Sequence, residues 1–116
     1  MSDAQAPATI SWAQFEDVLI CAGTVLRVEP FPEARKPAWK LWVDFGPHGV
    51  KKTSAQITSL YSAEELVGRQ IVGVINFAPK QVGKFLSEFL LTGFQTDDGI
   101  VVTAIERAVP NGARLI

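Results

Sequence analysis

Residues Phe31 to Gly46 read FPEARKPAWKLWVDFG, and their second half decides the fold. Trp39, Leu41, Val43 and Phe45 alternate with Lys40, Trp42 and Asp44. That period of two puts one set of side chains on each face of a β-strand. Downstream, KKTSAQITSLYS (51–62) and GRQIVGVIN (68–76) carry further β-type runs. Val50 to Ile57 is expected as a more polar strand, and Gln70 to Phe77 as a β-branched strand buried on both sides and ended by Pro79. Between them Ser62-Ala63-Glu64-Glu65 is a capping-box pattern before Gly68, which predicts a helical turn or two over Ser62–Val67.

Upstream, Val18 to Glu29 reads as the first strand. Val18, Ile20, Ala22, Leu26 and Val28 share the parity expected to face the core, with Thr24 as the polar member. Leu19, Cys21, Gly23, Val25, Arg27 and Glu29 share the other, so apolar Leu19 and Cys21 on an outer face point to a cover over it. Gly23 inside the run predicts a bend or bulge. Ser11 and Gln14 form another capping box, and Trp12 and Phe15 share a face of the short helix it starts. A helix so short must dock on the domain or on a second copy. Beyond Pro79, Lys80 to Lys84 is expected as a loop and Ser87 to Gly93 as the fifth strand. Asp97-Asp98-Gly99 is a hairpin turn leading into Ile100–Ile105, and Pro110-Asn111-Gly112 a last turn. Five strands with a short helix between the third and fourth give a mainly β chain, a five-stranded OB-fold β-barrel with short helices and N- and C-terminal extensions. Residues 1–10 are expected to be a flexible N-terminus, and 11–116 a single domain.

Formal charge is −1, yet residues 35–84 hold eight bases against three acids, while the rest holds three bases against nine acids. A neutral chain with that division carries a local positive field, and the local field steers a polyanionic partner. Lys36, Lys40, Lys51, Lys52, Lys80 and Lys84 are candidate phosphate contacts, and Arg35 adds a bidentate donor. Trp42 points with the charges, which fits packing beneath a terminal element, stacking on a base, or lying in an interface. Phe31, Trp42, Phe77 and Phe85 are the aromatic candidates for a peptide pocket. Trp12, Phe15, Leu115 and Ile116 are apolar groups on terminal segments too short to bury them, which predicts a homodimer through the termini.

Other function classes find no support. Cys21 is the one cysteine and His48, in a Gly-Pro-His-Gly turn, the one histidine. No metal site, disulfide, catalytic triad or cofactor is expected, and the chain does not read as an enzyme. The N-terminus has no basic start followed by an apolar run, and no apolar stretch approaches the roughly 20 residues of a membrane helix. A soluble, cytoplasmic protein is expected.

The runs FPEARKPAWKLWVDFG, KTSAQIT, VINF and GKFLSEFL (83–90) together resemble the tRNA-binding domain family, over about Phe15 to Gly112. That family includes domains appended to methionyl-tRNA synthetases and a free-standing export-related chaperone branch, to which the likeness is greatest. The resemblance implies an OB-fold homodimer that binds tRNA and unfolded or preprotein polypeptide and performs no chemistry on them. The alternative it leaves open is a structured-RNA module serving tRNA metabolism. It adds Asn76, Ser87 and Glu88 to the RNA candidates, although these can equally satisfy one another and nearby backbone in the barrel mouth. One departure stands out. The family usually carries Asp-Ile-Arg before the glycine of the first strand, where this chain has Leu19-Ile20-Cys21. Two charged groups are thereby replaced by apolar ones, favouring a contact of Leu19 and Cys21 with a peptide or the partner subunit.

Overall fold

The computed structural model describes residues 6–116. The expected flexible N-terminus falls partly outside them, and residues 6–10 are exposed and carry no helix or strand. Helix α1 (Trp12–Glu16) starts as read: the Gln14 N–H donates to Ser11 Oγ at 3.1 Å and the Ser11 N–H to Gln14 Oε1 at 2.8 Å. Then follow β1 (Ile20–Pro30), β2 (Trp39–Asp44), β3 (Val50–Ala55), α2 (Ala63–Leu66) and β4 (Gln70–Val74). Four short pieces, β5 (Lys80–Val82), β6 (Phe85–Ser87), β7 (Leu90–Leu91) and β8 (Gly93–Thr96), lead to β9 (Gly99–Val102). The capping box of α2 is also formed, by Ser62 and Glu65.

An antiparallel sheet in the order β3-β2-β1-β4-β7 curls into a nearly closed barrel of the OB-fold class. The gap between β3 and the β6–β7 stretch is bridged by polar groups. The Glu88 N–H donates to the Lys52 carbonyl at 2.7 Å, and the Lys52 N–H to Glu88 Oε1 at 3.0 Å. Buried Thr53 donates its hydroxyl to the Phe89 carbonyl at 2.7 Å, leaving its oxygen to accept from Ser87 Oγ, also at 2.7 Å. The expected fifth strand over Ser87–Gly93 is therefore divided among β6, β7 and β8. The expected loop at Lys80–Lys84 is instead one arm and the turn of the β5–β6 hairpin. Hairpin β8–β9 turns at Asp97-Asp98 as read.

Strand β1 reverses the expected parity over its first half. Its register with β2 runs Val25 opposite Val43, then Arg27 opposite Trp42, so Leu26 is an extra, exposed residue. Such a bulge switches which alternate residues face inward. Before it Cys21 and Val25 lie in the core; after it Val28 points inward and Arg27 and Glu29 outward. Gly23 serves close packing rather than the bulge itself: a Cβ there would meet Val43 Cγ1 at 2.6 Å and Phe45 Cδ1 at 2.7 Å. Gly73 on β4 gives the same clearance to Phe89 and Phe45, whose rings meet edge to face with centroids 4.9 Å apart. Val18, read as a core residue, precedes the strand and is exposed.

The first half of β1 pairs with β4 along one edge, and the C-terminal segment takes the other. The Ala22 N–H donates to Ala113 O at 2.9 Å, the Gly112 N–H to Ala22 O at 2.8 Å and the Leu115 N–H to Ile20 O at 2.8 Å. An edge with open N–H and C=O groups is thereby closed within the chain.

Candidate functional site: a cationic, aromatic rim

Two segments wall the site. The β1–β2 connection, 31–38, stands on one side, and the β5–β6 hairpin on the other, with the outer faces of β2 and β3 between them. Phe85 is the hub. Its ring centroid lies 5.4 Å from Phe31 and 6.2 Å from Trp42, the latter edge-on at 83°. The ammonium of Lys40 sits 5.4 Å from the Phe31 centroid and 5.6 Å from that of Phe85, and Lys52 sits 5.7 Å from Phe85. Cations over ring faces are attracted by the ring quadrupole. Lys40 and Lys52 come from different strands and Phe85 from a hairpin remote in sequence, so tertiary folding alone assembles this group.

A cleft of about 790 Å³ opens on one side of the hairpin, lined by Arg35, Lys36 and Lys80 at its polar margin and by Ile57, Phe89, Leu91 and Val102 among its apolar residues. Phe77 lines it too and is 57% exposed. A smaller groove of about 400 Å³ lies on the other side, lined by Phe31, Glu33, Lys40, Gly83, Lys84 and Phe85. Six of the expected cations, Arg35, Lys36, Lys40, Lys52, Lys80 and Lys84, thus surround one hairpin. Lys51 does not join Lys52. It lies opposite Val43, on the parity of buried Thr53, whereas Lys52 lies opposite Trp42. Adjacent residues of a strand face opposite ways. The expected RNA and peptide residues are not separate patches either: Phe31, Trp42 and Phe85 sit with Lys40 and Lys52, and Phe77 lines the larger cleft with Arg35, Lys36 and Lys80.

Arg27 joins this face without having been expected there. Its guanidinium carbon lies 3.8 Å from the centre of the Trp42 ring, and Glu29 holds its Nε at 3.0 Å. Its outward parity with Glu29 was legible, but its position opposite Trp42 depends on the bulge.

The three polar candidates are occupied within the chain. Ser87 and Glu88 bridge the barrel gap described above, and Lys52 Nζ stands 4.0 Å from Glu88. Asn76 accepts from the Leu19 N–H at 2.9 Å and donates to the Asp17 carbonyl at 2.7 Å, fixing the chain as it enters β1. Of the two readings open for these residues, the geometry supplies the contacts of the internal one.

At the termini, Arg114 donates to the Glu16 carbonyl, joining α1 to the C-terminal segment. Trp12 is 85% exposed, and Ile10 near it in sequence and Leu115 and Ile116 at the other end of the chain are exposed too; Phe15 and Leu19 are half-buried. Cys21 corrects the expectation of a partner contact. It is fully buried in this chain's own core, because the bulge turns it inward, and has no surface left for a second copy. Burial pushes its thiol above the usual range, against a smaller opposing effect of Arg114.

Barrel topology and rim together define an OB-fold binding module. The chain belongs to the family described as "Putative tRNA binding domain", which matches residues 20–114. The chaperone CsaA of Bacillus anthracis superposes with a TM-score of 0.88 at 41% identity, covering 94% of this chain and 100% of that one. The CsaA chaperone protein of Picrophilus torridus gives 0.88 at 38% identity, with 93% and 100% covered. The methionine–tRNA ligase of Bacillus subtilis is 30% identical over 102 residues, 88% of this chain but 15% of the ligase. The chain therefore spans a small part of the curated ligases it matches. Among the described residues no helix is long and apolar enough to cross a membrane, and no cluster of His, Cys, Asp or Glu has the makings of a metal site.

Proposed function

We propose that the protein is a non-catalytic binding module that holds tRNA on the rim around the β5–β6 hairpin. The convergence of cations from β2, β3 and the β1–β2 connection on the β5–β6 hairpin, two of them over the Phe85 ring, carries this reading. Lysines set as point charges read backbone and shape rather than sequence, as suits a folded RNA. Each phosphate contact is expected to contribute about 0.7 to 0.9 to the slope of log affinity against log salt. The test is a salt titration of tRNA binding with wild type and the Lys40→Glu, Lys52→Glu double variant. A steep slope is expected, with affinity lowered about a hundredfold at low salt in the variant. An affinity unchanged between low and high salt rules the reading out.

The likeness to the two chaperones and the larger cleft favour a second activity on the same molecule. Its apolar residues beside exposed Phe77 suit an extended, unfolded polypeptide such as a preprotein, in a cytoplasmic, export-related role. Phe77→Ser is expected to abolish suppression of aggregation of a denatured substrate, at high salt as at low. Equal aggregation with and without the wild-type protein excludes it. Exposed Trp12, Leu115 and Ile116 favour a homodimer through the termini, and a monomeric mass by light scattering at micromolar concentration would contradict that.

A further inference from the structure

The smaller groove differs in kind from the rest of the cationic rim. Its back is a pair of rings, Phe31 and Phe85, tilted at 57°. Phe31 is buried and anchors the pair, whereas Phe85 stays partly exposed, with the Trp42 ring nearly perpendicular to it. A ring held on two sides offers a face without losing further side-chain freedom on binding. Gly83, at φ +60°, makes the tight turn of the hairpin and leaves the groove's margin free of a side chain. Lys40 and Lys84 supply positive charge, and Glu33 is the one carboxylate among the described residues lining the groove. About 400 Å³ falls in the range of small-ligand sites, roughly 300 to 1,000 Å³.

Resting on the RNA reading above, we propose that this groove receives one unpaired nucleotide of the bound RNA. The base stacks on Phe85, a flanking phosphate lies with Lys40 and Lys84, and Glu33 accepts from an exocyclic amino group of the base. Rigid aromatic face, phosphate donors and a lone acceptor are the three elements that recognition of an extruded base requires. In a duplex the faces of the bases are covered by their neighbours, so the groove separates unpaired from paired RNA where the lysines alone do not.

The experiment compares oligocytidylate and oligouridylate of about eight nucleotides with an RNA duplex of equal nucleotide count, at one salt concentration. Wild type is expected to bind oligocytidylate tighter than duplex, and tighter than oligouridylate, whose base lacks the amino group. Phe85→Leu is expected to weaken the single strand about tenfold and leave the duplex unchanged, with Phe85→Tyr restoring the loss. Glu33→Ala is expected to lower oligocytidylate to the level of oligouridylate and to leave oligouridylate unweakened. Equal weakening of duplex and single strand by Phe85→Leu, or of neither, overturns the proposal. So does a cytidylate preference that survives Glu33→Ala. If a denatured polypeptide responds to Phe85→Leu and the oligonucleotide does not, the groove is a peptide site and the proposal falls. If Phe85→Leu melts early, the wild-type comparison decides, and a single strand bound no tighter than duplex refutes it. tRNA that fails to bind at all sinks the broader RNA reading; tRNA bound through Lys40 and Lys52 without these preferences sinks only the groove.

Discussion

The wall formed by β1, β4 and the C-terminal segment and the rim around the β5–β6 hairpin use their side chains in opposite ways. In the wall, Gly23 and Gly73 exist so that Val43, Phe45 and Phe89 can close to contact, and the open half of β1 bonds to residues 112–115. Groups there are spent on one another. On the rim, lysines lie over rings, and beside them two clefts stay open. The difference teaches where to look for a ligand. A region whose polar and aromatic groups are satisfied internally is architecture, whereas one holding cations close together without filling the space beside them is built for a partner.

Truncating the centre of the wall breaks the comparison from its stable side. Phe45 is fully buried with its ring against Phe89, so Phe45→Ala is expected to cost about 3 to 5 kcal/mol in urea unfolding. RNA affinity of the protein that remains folded should not change. A loss below about 1 kcal/mol would mean that the wall is not close-packed.

The seam between the two regions comes next. Thr53→Val keeps the shape but removes the hydroxyl shared by Ser87 and the Phe89 carbonyl, an expected loss of about 2 kcal/mol. Thr53→Ser should recover most of it, and equal melting of the valine and serine variants would place the closure elsewhere.

On the rim the contrast is sharpest between neighbours. Lys52→Glu is expected to weaken tRNA binding about tenfold and Lys51→Glu less than about threefold, because their side chains leave β3 on opposite faces. Equal effects would mean that the field is diffuse and the aromatic cluster incidental.

The smallest effect belongs to α2, away from the rim's clefts. Ser62→Ala should cost about 1 kcal/mol through loss of the cap. The Ser62 backbone N–H holds the Glu65 carboxyl below its usual value, helped by the Ser62 hydroxyl and Arg69. A folded-state value lower than the unfolded one contributes stability at neutral pH, and that contribution fades as acid titrates the carboxylate through the lowered value. Glu65→Gln keeps the box and should flatten this dependence in a pH series of melting temperatures, while RNA binding stays the same.

Much of the barrel was legible because its signals are local. The alternation of β2, the β-branched run of β4, both capping boxes and the Asp97-Asp98 turn depend on residues within a few positions of one another. Parity in β1 was not legible. Its bulge at Leu26 depends on what β2 pairs with, and a single extra residue turned Cys21 from an outer position to the core and set Arg27 on Trp42. The β5–β6 hairpin was missed, and the fifth strand was read as one run rather than as short pieces, for a related reason: two- and three-residue pairings are fixed by their partners, not by their own pattern. Of the candidate site, the residue types were visible and their grouping was not.

By itself the sequence determined that a curled β scaffold forms and that its middle carries the positive charge. Only the tertiary structure decided which lysines share a face, that Ser87, Glu88 and Asn76 are held by the chain itself, and that Phe31, Trp42 and Phe85 meet beneath Lys40 and Lys52. The physical reason is range. Periodicity and capping act over one strand or one helical turn, whereas a cluster drawn from two strands, a loop and a hairpin exists only once hydrogen-bond register has fixed their alignment.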